Sequence, residues 1–192
     1  MPVVHFITHP EVVIDPGVPV PEWPLSPIGI RRMALALERP WMGNLLSVFS
    51  SAERKARDAA RMIGRRFDLS PHIVGDLAEN DRSATGYRPK DAFEALADAF
   101  FARPEESILG WERAIDAQRR IVSAIEQVIA RAPGQGDIAI VSHGGVGALL
   151  LCHLKGVPIS RIEDQPGDGG GNVFSFEGTP RAVLSGWRRI EE

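Results

Sequence analysis

The chain has 192 residues, of which 44% are hydrophobic and 24% charged, with a formal net charge of −3. This length is enough for one domain with a substantial core, and residues 1–192 are expected to form a single one. The small negative charge excludes the electrostatic footprint of a nucleic-acid binder or of a protein drawn to an anionic membrane.

Cys152 is the only cysteine, which excludes an internal disulfide and a cysteine-rich zinc site and fits a reducing compartment. No basic segment precedes an apolar one at the N-terminus, and no apolar run reaches the roughly 18 residues of a spanning helix. The expected location is the cytoplasm.

Residues 3–8 read as a buried strand that stops at His9 and Pro10. Residues 10–26, with Pro10, Pro16, Pro19, Pro21 and Pro24, read as an ordered loop over the site. Ser26 and Pro27 suit the N-cap and first position of a helix running to about Arg39. Residues 45–49 read as a second buried strand. Ser50 and Ser51 are then expected to cap a helix over about 52–67, its inner face formed by Ala56, Ala59, Ala60, Ile63 and Phe67.

A short strand is expected at 72–77, followed by a polar loop at 79–89. Helices are expected at 90–102 and 108–132; the second carries Ile108, Trp111, Ile115, Val122, Ile125 and Ile129 near helical period. Pro133-Gly134 stops it. Residues 138–142 read as a strand leading to His143, followed by a helix at 145–155, a glycine-rich loop at 167–171, and strands at 172–176 and 182–187. Alternating strands and helices predict a three-layer α/β/α sandwich: a mostly parallel sheet of about five to six strands with helices on both faces.

Several site signatures are absent. There is no Gly-x-Ser-x-Gly and no Gly-Lys-Ser/Thr, and Gly134-Gln135-Gly136 precedes a strand without opening a helix. His5 and His9 are four apart but on a strand, so they do not form the usual helical metal pair.

What remains is a set of groups at strand ends, where open α/β sheets bind ligands. His9 and His143 each close an apolar run, Glu79 follows the third strand, and Gly144-Gly145 lead into a helix whose N-terminus suits an anion. A nucleophile, a carboxyl acid/base and an anion cradle are what phosphoryl transfer through histidine requires.

In order along the chain come Thr8-His9-Pro10, Leu25-Ser26-Pro27-Ile28-Gly29, Ser50-Ser51-Ala52-Glu53-Arg54-Lys55-Ala56, Leu77-Ala78-Glu79, Glu105-Glu106-Ser107 and Val141-Ser142-His143-Gly144-Gly145. This series resembles the histidine phosphatase superfamily, the phosphoglycerate-mutase-like fold, over nearly the whole chain. The resemblance implies that His9 attacks phosphorus to form a phosphohistidine. It makes Glu79 the group that protonates the leaving oxygen and later deprotonates water, and His143 a donor to the phosphoryl oxygens. Thr8, Ser51, Arg54, Lys55 and Gly144 stand at phosphate-binding positions. No cofactor and no metal are implied, because the chemistry supplies its own nucleophile.

Three positions depart from the family pattern. Thr8 and Lys55 stand where the family has arginines, and Pro10 where it has glycine. Lysine is a point charge without the planar fork of arginine. One lost donor to a transition state costs about 3–4 kcal/mol, roughly a hundred- to a thousandfold in rate. Arg54, Arg31, Arg82 and Arg88 could compensate.

The leading expectation is a phosphomonoesterase, a hydrolase more than a mutase, acting on a small phosphorylated molecule or binding inorganic phosphate. A second reading is a catalytically impaired member that binds a phosphorylated or anionic ligand, or a protein partner, without turnover. A third keeps the imidazoles but hydrolyses something other than a simple phosphomonoester. Trp23 and Tyr87 are expected at the pocket wall; Phe93 is a further candidate there, with core packing its favoured role.

Overall fold

The computed structural model describes residues 2–192. Six strands form one sheet: β1 (Val3–Thr8), β2 (Leu45–Ser50), β3 (His72–Ile73), β4 (Asp137–Ser142), β5 (Asn172–Glu177) and β6 (Val183–Arg189), in the order β3-β2-β4-β1-β5-β6. Neighbours from β3 to β1 run parallel, and β5 and β6 add antiparallel strands at one edge. The helices are α1 (Pro27–Ala36), α2 (Arg54–Phe67), α3 (Lys90–Ala102), α4 (Ala114–Arg131) and α5 (Gly144–Lys155).

Because both faces of the central strands are covered, they read as continuous apolar runs and not as alternating ones. Phe6, Ile140 and Phe174 point to a core shared with Phe100, Ile121, Ile125 and Leu150, while Ile7, Val48 and Val141 point to one shared with Met33, Ala59 and Ile63. These two cores separate three layers, the expected α/β/α sandwich. Small residues at Ala56, Ala59 and Ala60, all fully buried, let α2 lie close on the sheet.

Register positions the site. Thr8 pairs with Ser142 across β1 and β4, so His9 and His143 leave the sheet side by side. The His9 amide continues the ladder by donating to the Ser142 carbonyl at 3.1 Å. On the other side of β4, the Ser51 amide donates to the Val141 carbonyl at 3.0 Å, which carries the chain from β2 to the same end.

Several boundaries differ from expectation. The long helix starts at Ala114, not at 108, because Leu109 (φ 48°) and Gly110 (φ 85°) turn the backbone left-handed. Ile108 and Trp111 are buried all the same, from a loop, so their helical spacing was coincidental. The third strand keeps only His72–Ile73 before a 3₁₀ turn over Gly75–Leu77. Ser51 does not cap α2, whose N-cap position is Glu53. Ser26 does cap α1, accepting from the Gly29 amide at 3.0 Å. Among the described residues, no helix is long and apolar enough to cross a membrane.

Candidate active site

His9 follows directly from β1 and is half-buried. Its Nδ1 lies 2.9 Å from the Pro10 carbonyl oxygen, which can only accept, so Nδ1 carries the proton and Nε2 keeps its lone pair. Pro10 removes a backbone donor but supplies the acceptor that fixes the tautomer. Burial, then the His143 ring, then Lys55 push His9 down to about 3, so the imidazole is neutral near pH 7. Gly170, at φ 60°, crosses so close that a Cβ there would lie 2.3 Å from the His9 carbonyl oxygen. Arg32 holds this crossing in place by donating to the Gly170 and Gly171 carbonyls, both at 2.9 Å.

His143 precedes α5 and is 1% exposed, its ring centroid 5.2 Å from that of His9. Its Nε2 is 2.8 Å from Ser51 Oγ and 3.3 Å from Glu53 Oε1. The ionised Glu53 cannot donate, so Nε2 carries the ring proton. Burial holds His143 below its ordinary value against the pull of Glu53 and Glu79.

Glu53 binds the site together. Its Oε2 is 2.5 Å from Lys55 Nζ, and its Oε1 also accepts from the Glu79 amide at 3.1 Å. Burial alone would raise this carboxyl, but His143 and Lys55 outweigh it and hold it at about 2. Lys55, 4% exposed, also donates to the Val20 carbonyl at 2.8 Å, tying α2 to the proline-rich loop.

Glu79 lies at the N-terminus of α5. It accepts from the amides of Gly145, Val146 and Asn80, each at 3.0 Å, and Arg82 Nη2 is 3.0 Å from its Oε2. Burial pushes its carboxyl up, yet Arg82, His143 and these amides hold it below the usual carboxylate range. The anion cradle predicted at this helix start is thus occupied by a side chain of the protein itself.

Thr8, expected from the sequence to take the place of an arginine, bonds to a neighbour. Its hydroxyl donates to Gln165 Oε1 at 2.7 Å and accepts from the Asn172 amide at 2.9 Å. Asn172 Nδ2 donates to the same Gln165 oxygen at 3.1 Å. Two donors on Oε1 turn Gln165 Nε2 the other way, towards Gly144, where an added Cβ would lie 2.2 Å from it.

Two chambers open beside His9. One, of about 550 Å³, is polar, with Lys90, Arg161, Asp164 and Gln165 in its wall and Phe93 and Trp111 behind. The other, of about 890 Å³, is walled by Pro19, Val20, Trp23 and Tyr87, and its floor reaches Glu53, Lys55 and His143. Trp23 and Tyr87 meet edge to face at 5.6 Å. His9, Glu79, Asn80 and Arg82 line both chambers.

A family model for the histidine phosphatase superfamily (branch 1) matches residues 19–183. The chain belongs to the histidine phosphatase superfamily. Its fold is shared with a Bacillus stearothermophilus protein, YhfR, at a TM-score of 0.80 and 19% identity over 100% of both chains. A mycobacterial glucosyl-3-phosphoglycerate phosphatase in complex with inorganic phosphate aligns at a TM-score of 0.77 and 19% identity, again over 100% of both. A phosphoserine phosphatase from Entamoeba histolytica, in complex with 3-phosphoglyceric acid, aligns at 0.74 and 15% identity over 100% of this chain and 99% of that one. No curated protein sequence matches the chain.

The residues singled out in the sequence thus stand together at one end of the sheet: His9, His143, Glu79, Ser51, Lys55, Thr8 and Gly144. Arg54 does not join them. Its side chain is half exposed and lies 3.9 Å from Asp58. Arg31 and Arg88 are exposed and line neither chamber. Of the proposed compensating arginines, Arg82 alone reaches the site, stacked 5.0 Å over the Phe93 ring and 5.5 Å over that of Trp111. Sequence reasoning gave no role to Glu53, Gln165, Asn172, Asn80 or Arg32. Glu53 had a signal, standing two places before Lys55 inside a quoted motif; the others had none.

Proposed function

We propose that this histidine phosphatase hydrolyses phosphate monoesters of small molecules through a phosphohistidine on His9. The observation that carries this reading is the His9 ring, with Nδ1–H held by the Pro10 carbonyl and Nε2 left free beside the cavity. An imidazole neutral near pH 7 is a competent nucleophile, held by a hydrogen bond on its other nitrogen. In this reading Nε2 attacks phosphorus in line. The Gln165 amide and the Gly144 N–H face the phosphoryl oxygens, and His143 and Lys55 stand beside them, both held by Glu53. Glu79 delivers a proton to the leaving oxygen and then takes one from the attacking water.

Glu79 is held in its ionised form, so its acid role is weak near neutrality and the enzyme favours leaving groups that need little protonation, such as phenols. Few cations are free to hold a second phosphate, which supports hydrolysis over mutase transfer. A cytoplasmic location belongs to the same reading, supported by the buried free thiol of Cys152.

A second reading, a phosphate-binding protein without turnover, is favoured by one feature: Glu53 and Glu79 already occupy Lys55, Arg82 and the first amides of α5. The test is hydrolysis of 4-nitrophenyl phosphate. Turnover that His9→Ala abolishes, with a phosphorylated His9 peptide trapped by rapid quenching, supports the enzyme. Absence of turnover, with thermal stabilisation by inorganic phosphate that His143→Ala removes, supports the binder.

A further inference from the structure

The cations around His9 are all paired. Lys55 Nζ lies 2.5 Å from Glu53 Oε2, and Arg82 Nη2 lies 3.0 Å from Glu79 Oε2. The Gly145 and Val146 amides also end on Glu79. Both imidazoles are neutral near pH 7, burial being the main cause. Lys55 and Arg82 are matched by Glu53 and Glu79, and in the polar chamber Lys90 and Arg161 are matched by Asp168 and Glu94, so the pocket offers no net positive charge. The donors left are amides: Gln165 Nε2 in the polar chamber, and at the junction Asn80 Nδ2, which is buried without a partner on a residue 5% exposed.

A phosphate monoester carries close to two negative charges at neutral pH, its second pKa being about 6. A phosphodiester carries one. Placing the second charge in a cleft with no compensating field is penalised, and neutral amides suit the single one. An independent observation concerns shape. The cavity extends from His9 in two directions, into an apolar chamber of about 890 Å³ and a polar one of about 550 Å³. A monoester has one substituent to house; a diester has two.

The geometry points to a further activity of this centre: cleavage of a phosphodiester joining an apolar group to a polar one, with Glu53 setting the preference for a singly charged phosphoryl group. It rests on the reading that His9 transfers phosphoryl groups. The His9 Nε2 lone pair forms the N–P bond as one P–O ester bond breaks; an alkoxide leaves with a proton from the protonated fraction of Glu79, whereas a nitrophenolate leaves as the anion. Water then adds to phosphorus, the N–P bond breaks with its electron pair returning to Nε2, and the proton from water goes to Glu79. Diester and water become monoester and alcohol, with nothing else consumed. Glu53 acts by holding Lys55 and the His143 Nε2–H, two donors a dianion would need.

The test compares kcat/KM for bis(4-nitrophenyl) phosphate and 4-nitrophenyl phosphate on the full chain. The wild type should favour the diester by about tenfold or more, and Glu53→Gln should move that ratio towards the monoester by about tenfold, a shift of about 1.4 kcal/mol. A measurement without any variant stands beside it. Lowering the pH from about 7.5 to about 5 strips the monoester of its second charge, so the wild-type preference for the diester should shrink. A preference for the monoester that neither Glu53→Gln nor pH changes overturns the diester assignment and leaves monoester hydrolysis by His9 standing. Release of nitrophenol from neither ester, by either protein, overturns both.

Discussion

Gln165 offers the sharpest test of what Thr8 does in the site. Gln165→Ala removes an amide whose Nε2 faces Gly144 and leaves Thr8 Oγ1 and Asn172 Nδ2 without their shared acceptor. As a donor to developing phosphoryl charge, the amide should be worth about 2.7–4 kcal/mol, a hundred- to a thousandfold in kcat, with the lower end expected for a neutral group. Thr8→Val keeps the shape of the side chain but deletes the hydroxyl. The Asn172 amide then loses its acceptor, at a cost of about 1–3 kcal/mol in stability, and Gln165 keeps only one of its two orienting donors. If Thr8 acts through Gln165, the two substitutions together should slow the reaction no more than Gln165→Ala alone, a non-additive cycle. The assay is kcat and KM on 4-nitrophenyl phosphate, with thermal denaturation in parallel. A fully active Gln165→Ala protein, or two losses that simply multiply, refutes the assignment of the amide to the phosphoryl group.

Gly144→Ala should displace the same amide from the other side, since its Cβ would meet Gln165 Nε2 at 2.2 Å. A flexible side chain gives way at little cost, so kcat should fall while the melting temperature barely moves. Gly170→Ala is expected to damage both, because the residue sits at φ 60° with its Cβ 2.3 Å from the backbone oxygen of His9; a loss of about 1–3 kcal/mol in urea denaturation checks it. His9 and His143 are both lowered in the fold. The unfolded chain therefore binds protons first, and stability is full above about pH 6.5 and falls as the pH drops towards the folded values. Melting curves against pH should show this slope, and His9→Asn should flatten it. Arg82 is the largest influence lowering the Glu79 carboxyl. Arg82→Leu should raise that carboxyl and shift the alkaline limb of the pH–rate profile for an alkyl phosphate to higher pH, because a general acid must be protonated to act; an unmoved limb contradicts the acid role of Glu79.

What the sequence reveals and conceals follows from the range of the interactions. His9 and His143 could be paired in advance because each ends an apolar run at a Pro or a Gly, and parallel strands in register bring such ends together. The same local logic found α1 through Ser26 and Pro27, and failed at α4, where Ile108 and Trp111 are buried by a loop that mimics helical spacing. Gln165 was out of reach of any local rule, since its partner Thr8 lies 157 residues away. Glu53 is the instructive case. Read as a motif, Ser50 to Ala56 directs attention to Lys55 as a weakened arginine and to its missing charge. Read with side chains in place, the change is larger: the start of one helix carries both a cation and the carboxylate that cancels it, and the carboxylate also accepts from the His143 Nε2–H. Counting lost arginines predicts a poorer version of the same enzyme. Counting the charges that remain predicts a further substrate, because a pocket with no net positive charge discriminates by the charge of what enters it.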